Sequence, residues 1–184
     1  MSGIELCETG FDGLYIIKLS SFKDHRGVYT KLFSEKEFYH ILNEKHIVDI
    51  NYQKTILSGT VRGLHYQIGD SSEVKIIKCI HGRIFDVAVD VREGSETFLQ
   101  YFSIELSQDD DIMVLIPEGF AHGFQTLEDN TETLYATTQV YDPASERGLN
   151  AADPSLSITW PLEISCISEK DRMRALIKEG RLND

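Results

Sequence analysis

Arg62, His65 and Gln67, within Val61-Arg62-Gly63-Leu64-His65-Tyr66-Gln67, gather a guanidinium, an imidazole and a carboxamide on one short stretch. In a strand, alternation sends His65 and Gln67 to one face and Leu64 and Tyr66 to the other. A polar face carrying a histidine in an all-β body suggests a barrel lumen that does chemistry; a rim histidine with a hydrogen-bond partner explains the same stretch. Arg62 and His65 have opposite parity, so only a bend at Gly63 brings both into one pocket.

Further polar residues on β-forming stretches are Lys75, Asp86, His122, Tyr135 and Tyr141, and Asp171 follows near the C-terminus. Tyr135, Thr137, Gln139 and Tyr141 share a face if their strand is unbroken. Such a set supports proton abstraction beside a carbonyl. A neutral imidazole removes the proton, an ammonium neutralises the developing enolate oxygen, and a phenol reprotonates from the other face. A carboxylate bonded to the imidazole would fix its tautomer. Plainer roles compete with these: a lumen lysine pairs with a carboxylate, Asp171 caps a helix three residues after Ser168, and a strand tyrosine packs in the core. There is no Gly-rich phosphate loop, no Gly-x-Ser-x-Gly elbow and no CxxC pair, so P-loop hydrolysis, esterase chemistry and zinc binding lack direct support.

The elements that must position these groups are mostly strands. Leu14 to Leu19 reads as the first, ending in a polar turn Ser20 to Asp24, and Val28 to Phe33 as the second. Ser34 with Glu37 forms a capping box that starts a helix to about Asn43, burying Phe38, Ile41 and Leu42. Strands follow over Ile47 to Leu57 and Arg62 to Gln67, with a hairpin loop at Gly69 to Ser72. Glu73 to Ile80 and Arg83 to Arg92 are joined by a tight turn at His81-Gly82, with Val87, Val89 and Val91 opposite Asp86, Ala88 and Asp90. Phe98 to Leu106, Ile112 to Ile116, Phe120 to Leu127 and Glu132 to Tyr141 complete the strands, and Ser168 starts a C-terminal helix to about Lys178. Short strands about ten residues apart predict one all-β domain over 1–184, an antiparallel jelly-roll barrel with short flanking helices.

Thirty acidic against 18 basic residues give a net charge of −12. That balance opposes approach to a nucleic-acid backbone or an anionic membrane surface, so an anionic ligand needs positive charge concentrated in its pocket. No apolar run is long enough to span a bilayer and no basic-then-apolar leader is visible, which makes the cytoplasm the expected location. Cys7, Cys79 and Cys166 are isolated and odd in number, so they are expected reduced and structural.

Several motifs together resemble a known family. They are Asp24-x-Arg26-Gly27, Arg62-Gly63-Leu64-His65-Tyr66-Gln67, Lys75, Phe85-Asp86-Val87-Ala88-Val89-Asp90-Val91-Arg92, Ile116-Pro117-x-Gly119-Phe120-Ala121-His122-Gly123-Phe124, Leu134-Tyr135, Tyr141-x-Pro143, Asp153-Pro154, Trp160-Pro161 and Ile167-Ser168-x-Lys170-Asp171. The chain resembles, over nearly its whole length, the nucleotide-sugar 4-keto-hexulose 3,5-epimerases of the deoxythymidine-diphosphate-rhamnose pathway, a branch of the cupin-like barrels. The resemblance implies a cofactor-free, metal-free isomerase of a nucleotide-diphosphate 4-keto sugar, usually a homodimer that exchanges N-terminal strands. It implies His65 as base with Asp171 as partner, Lys75 at the enolate, Tyr135 as acid and Arg62 at the diphosphate. Gln67, Arg26, His122, Asp86 and Tyr141 match motif positions of the substrate pocket.

The departures fall together. Family members carry an aromatic and a glutamate after the Arg-Gly turn, where this chain has Tyr29 and Lys31. They carry Gln-x-Asn-x-Ser where it reads Ile50-Asn51-Tyr52-Gln53-Lys54. In the family these positions contact the nucleotide. Loss of amides at Ile50 and Tyr52 and charge reversal at Lys31 predict a different base, for instance a cytidine or guanosine diphosphate sugar. They leave open whether C3, C5 or both are inverted. A metal-dependent cupin isomerase or oxygenase competes weakly, because His65-Tyr66-Gln67 lacks the second histidine of that motif. A non-catalytic sugar-nucleotide-binding barrel would require loss of His65, Asp171 or Tyr135.

Overall fold

A computed structural model describes residues 4–178 and 180–182, so the extreme ends of the 1–184 domain lie outside the described residues. Among the described residues thirteen strands dominate, accompanied by two short α-helices and a single 3-10 turn at Gly69–Ser71. One sheet runs, edge to edge, β1 (Glu5–Glu8), β2 (Tyr15–Lys18), β10 (Ile112–Ile116), β7 (Lys75–His81), β12 (Thr131–Thr137) and β5 (Asp49–Thr55). The second runs β13 (Glu146–Gly148), β6 (Val61–Gln67), β11 (Phe120–Thr126), β8 (Arg83–Asp90) and β9 (Tyr101–Ser107). A separate hairpin pairs β3 (Ser21–Asp24) with β4 (Gly27–Thr30). All pairings between these strands are antiparallel, which makes the body the all-β jelly roll that the strand spacing predicts. No helix among the described residues is long and apolar enough to cross a membrane.

Packing explains the alternation. Ile77, Val114 and Ile116 of the first sheet meet Ile84, Ala88, Phe120 and Phe124 of the second between the layers. The opposite parity of the first sheet, Ile17, Ile76, Met113 and Leu115, packs on Phe38 of α1 (Glu35–Ile41) and on its C-cap, Leu42. The outer parity of the second sheet, Leu64, Val87, Val89 and Ala121, is covered by Leu149, Leu156, Ile177 and Trp160 of the C-terminal segment. Each fully buried Val, Leu, Ile, Met or Phe among these is worth about 1.5–3 kcal/mol. Both faces of β8 are therefore interior.

Tertiary context overrides several local readings. Ser20 to Asp24 is not a plain turn: β3 lies there, paired in register with β4 from Ser21↔Thr30 to Asp24↔Gly27. Ser34 stands at the N-cap of α1 but its side chain makes no cap bond. The turn at Gly82 is not a hairpin, because β7 and β8 belong to different sheets and the chain crosses the core there. β12 ends at Thr137, whose hydroxyl donates to the Gln139 carbonyl at 2.9 Å, so Tyr141 falls beyond the strand. The C-terminal helix, α2, spans only Glu169–Arg172. Asn150 Nδ2 donates to the carbonyls of Arg172 and Arg174 at 3.2 and 2.9 Å, and the Ile177 N–H is drawn to Asp153 at 2.6 Å, which ends the helix early.

Gly63 provides the expected bend. Its φ is +112°, and the β6–β11 register shifts between His122↔His65 and Phe124↔Arg62. A Cβ there would stand 2.6 Å from the His122 carbonyl oxygen and 2.7 Å from Gly123 Cα, so the two backbones touch. Gly63→Ala is expected to lower stability by about 3 kcal/mol, combining left-handed strain with overpacking. A drop in the urea midpoint at unchanged m-value checks it.

Candidate active site

The bulge turns Arg62 and His65 into one lumen. Two connected cavities open there, of about 470 and 330 Å³. Four residues line both: His65, Lys75, Tyr135 and Lys170. His65 comes from β6 in one sheet, whereas Lys75 on β7 and Tyr135 on β12 come from the other, so the imidazole and the phenol approach from opposed walls.

His65 Nε2 lies 2.5 Å from Asp171 Oδ1. In the neutral tautomer that bonds a carboxylate here, Nε2–H donates and Nδ1 keeps its lone pair. The helix cap and the carboxylate pairing are both satisfied by different atoms of Asp171: its N–H donates to Ser168 Oγ at 3.1 Å, and its side chain is free to meet the imidazole. Burial pushes the Asp171 carboxyl up, but hydrogen bonds from His65, Ser168 and the Gly63 N–H, with the His65 charge, outweigh it and hold it below the ordinary value.

Lys75 Nζ pairs with Glu73 at 3.0 Å and reaches the His65 carbonyl at 3.4 Å, both side chains nearly buried. Burial pushes the Tyr135 phenol up, and the Glu73 carboxylate acts in the same direction against the Arg62 charge. Arg62 is held from β5: Nε donates to Thr55 Oγ1 at 2.9 Å, and Gln53, its amide oxygen turned to the guanidinium, accepts from Nη1 and Nε at 2.9 and 3.1 Å. Beside His65 across the β6–β11 ladder stands His122, whose Nε2 lies 2.8 Å from the buried Asp86 Oδ2. Asp86 Oδ1 is buried without a partner.

Other residues singled out in the sequence stand elsewhere. Gln67 lines the smaller cavity, yet its amide is committed to backbone, donating to the Ser71 and Val140 carbonyls and accepting from the Asp142 N–H. Tyr141 lies at that cavity's mouth, 61% exposed, and its hydroxyl donates to Glu146. Arg26 and Tyr29 sit on the exposed β3–β4 hairpin, with Arg26 paired to Asp24 at 2.6 Å. Lys31 pairs with Glu37 at 3.2 Å. None of these last three lines either cavity.

The reading of β5 needs correction. Ile50 and Tyr52 point to the outer face, 65% and 58% exposed, and the lumen parity belongs to Asp49, Asn51 and Gln53. Matching Ile50 and Tyr52 to the family's amide positions is one residue out of register, because the alternate residues of β5 are the ones that enter the lumen. Two amides, Asn51 and Gln53, are therefore present where the sequence suggested their loss. Glu73, Glu146 and Lys170 also line the cavities, without a role assigned from the sequence. Lys170 stands within the Ser168-x-Lys170-Asp171 motif, whereas Glu73 and Glu146 carry no local signal. Among the described residues no group of three or more His, Cys, Asp or Glu side chains is arranged to hold a metal ion.

A family model described as dTDP-4-dehydrorhamnose 3,5-epimerase matches residues 8–179. A curated dTDP-4-dehydrorhamnose 3,5-epimerase from Sinorhizobium fredii (strain NBRC 101917 / NGR234) is 40% identical over 177 residues, covering 93% of this chain and 91% of its own. The crystal structure of a dTDP-6-deoxy-D-glucose-3,5-epimerase from Legionella pneumophila Philadelphia 1, in complex with dTDP-4-keto-L-rhamnose, superposes with a TM-score of 0.88 at 35% identity, over 95% of this chain and 93% of that one. A 3'-monoepimerase from Streptomyces bikiniensis in complex with dTDP-quinovose gives a TM-score of 0.84 at 27% identity, covering 91% and 85%.

Proposed function

We propose that this chain, which belongs to the dTDP-4-dehydrorhamnose 3,5-epimerase family, inverts carbons next to the C4 ketone of a nucleoside-diphosphate 4-keto-6-deoxysugar. It is an isomerase. His65 Nδ1 removes the proton from C5 or C3, Asp171 holds the tautomer and stabilises the imidazolium, and Lys75 neutralises the enolate oxygen. The Tyr135 phenol then delivers a proton to the opposite face and is restored from solvent. The observation that carries this reading is the approach of His65 and Tyr135 from opposed sheets at the seam of the two cavities. The rise in the Tyr135 pKa from burial and Glu73 supports it, because an acid must hold its proton at neutral pH. Arg62, steadied by Gln53 and Thr55, binds the diphosphate, and His122 with Asp86 lines the sugar side.

We further propose a homodimer in which the β3–β4 hairpin reaches the partner's pocket. Phe22, Val28 and Tyr29 are exposed on that hairpin, and Ile50 and Tyr52 on the edge strand β5, a combination that needs covering. Arg26, Tyr29 and Lys31 would then act on the partner's nucleotide. The three free cysteines fit a reducing, cytoplasmic setting.

With Asn51 and Gln53 in the lumen, the base most consistent with the site is thymine, and Lys31 alone argues otherwise. Incubation in deuterated water with thymidine, cytidine and guanosine diphosphate 4-keto-6-deoxy sugars, followed by NMR, tests this. Deuterium is expected at C3 and C5 of the thymidine sugar. Exchange confined to another nucleotide would assign the specificity change to Lys31, and exchange at one carbon would make this a monoepimerase. Absence of exchange with all three would leave a non-catalytic sugar-nucleotide-binding barrel.

A further inference from the structure

We infer that Glu146 is a positioning residue for the His65–Asp171 pair, a strut that fixes the strand bearing the histidine to the helix bearing the aspartate. The two partners lie on different elements, touching through the Gly63 N–H and the His65 side chain. His65 is on β6, beside the edge strand of the second sheet, and Asp171 is on a single helical turn outside it. β13 joins them. Its backbone pairs with β6, Glu146 opposite Gln67 and Gly148 opposite His65. Its carboxylate reaches the other way, to Lys170 Nζ at 2.6 Å and Arg174 Nη2 at 2.9 Å, the cations that bracket Asp171.

Burial makes this more than a surface pair. The Glu146 side chain is 7% exposed and accepts a third bond, from the Tyr141 hydroxyl. Burial pushes its carboxyl up, and the bonds from Lys170 and Tyr141 with the charges of His65 and Lys170 bring it below the ordinary value. Gly148 leaves the space: a Cβ there would stand 2.8 Å from Arg174 Nε and 2.7 Å from the Leu64 carbonyl oxygen. Arg174 Nε is itself buried without a partner, so Glu146 supplies the one ion pair its guanidinium makes among the described residues. The turn keeps its bonds from Asn150 to the Arg172 and Arg174 carbonyls and its Ser168 cap, so removing the carboxylate frees the two cations and loosens the turn's side-chain anchorage to β13 rather than unfolding it. Glu146 and Lys170 also line the smaller cavity, so substrate affinity can change as well, and the His65–Asp171 bond itself is the readout that separates positioning from binding.

The inference rests on His65 being the base, and the test separates the two. Glu146→Gln is compared with wild type for kcat and KM of deuterium wash-in, and for the imidazole ring proton shared between His65 Nε2 and Asp171 in ¹⁵N-histidine-labelled protein without substrate. Expected are a fall in kcat of roughly 10²-fold, from misplacement on the order of 1 Å, and loss of the ring-proton signal. Arg174→Met, which keeps the carboxylate at a residue that lines neither cavity, is expected to move kcat and the ring-proton signal in the same direction and stands in if the glutamine variant fails to fold. A kcat within about threefold of wild type, or a loss confined to KM with the ring-proton signal intact in a folded variant, overturns the strut. If wild type shows no exchange with any nucleotide sugar, the catalytic reading fails, while the ring-proton comparison still decides whether Glu146 holds the pair.

Discussion

His65→Ala abolishes the wash-in of solvent deuterium at C3 and C5 and leaves nucleotide affinity nearly unchanged. The expectation follows from where the side chain sits. His65 is at the seam of the two cavities, whereas the positive charge suited to the diphosphate is Arg62, held by Gln53 and Thr55 on another strand. Deleting a positioned general base costs typically 10²–10⁴-fold. Here the loss should lie at or beyond the upper end, because the carboxylate of Asp171 is left nearly buried with no imidazole to meet. Asp171→Asn should fall in the same range: an amide can present its NH₂ to Nε2, which turns the lone pair away from the substrate. Isothermal titration with the nucleoside diphosphate separates binding from chemistry. Retained exchange in His65→Ala would remove the residue from the mechanism, and affinity lost in step with exchange would make it a binding group.

Much of this arrangement is legible in the chain, and what is not has identifiable causes. Ile112–Ile116 reads off its flanks, and β11 follows to within a residue, because turn signals stand at both ends. The bend at Gly63 follows from parity alone, since Arg62 and His65 can share a lumen in no other way. The partnership of His65 with Asp171 does not follow from local pattern. Ser168 and Asp171 announce a helix start, which is correct for the backbone and silent about the carboxylate. Motif resemblance supplies that pairing. The β5 match slips by one residue because the motif there is short and nothing local fixes which parity enters the lumen: the lumen is lined by Asp49, Asn51 and Gln53, and Ile50 and Tyr52 lie on the outer face. The crossing at Gly82 is hidden for a related reason. Two strands separated by one glycine look like a hairpin, and only the three-layer packing, with β7 against α1 and β8 against the C-terminal segment, separates them. A lumen position for Tyr141 needs β12 to run four residues past its end at Thr137, and no local signal marks that end.

Tyr135→Phe makes the sharper test of mechanism, because it should divide the reaction rather than stop it. Proton removal needs the imidazole and a stabilised enolate, both of which survive the change. Reprotonation by His65 returns the proton, now deuterium, to the face it left. Inversion needs a donor on the other wall, and Tyr135 on β12 is the residue that faces His65 from that side of the seam. The hydroxyl is the only group lost, and phenylalanine fills the same space, so the fold has no reason to respond. The variant is expected to incorporate deuterium at a rate within about tenfold of wild type while epimer formation falls by roughly 10²–10⁴-fold. Both are read from one NMR time course, exchange from loss of the C3 and C5 proton signals and inversion from the new sugar couplings. Parallel loss of exchange and inversion would mean that the phenol acts before the enolate forms, for instance by donating to the ketone oxygen. Undiminished inversion would move the acid to another group on that wall, and Lys75, whose Nζ lies 3.0 Å from Glu73, would be the one to examine.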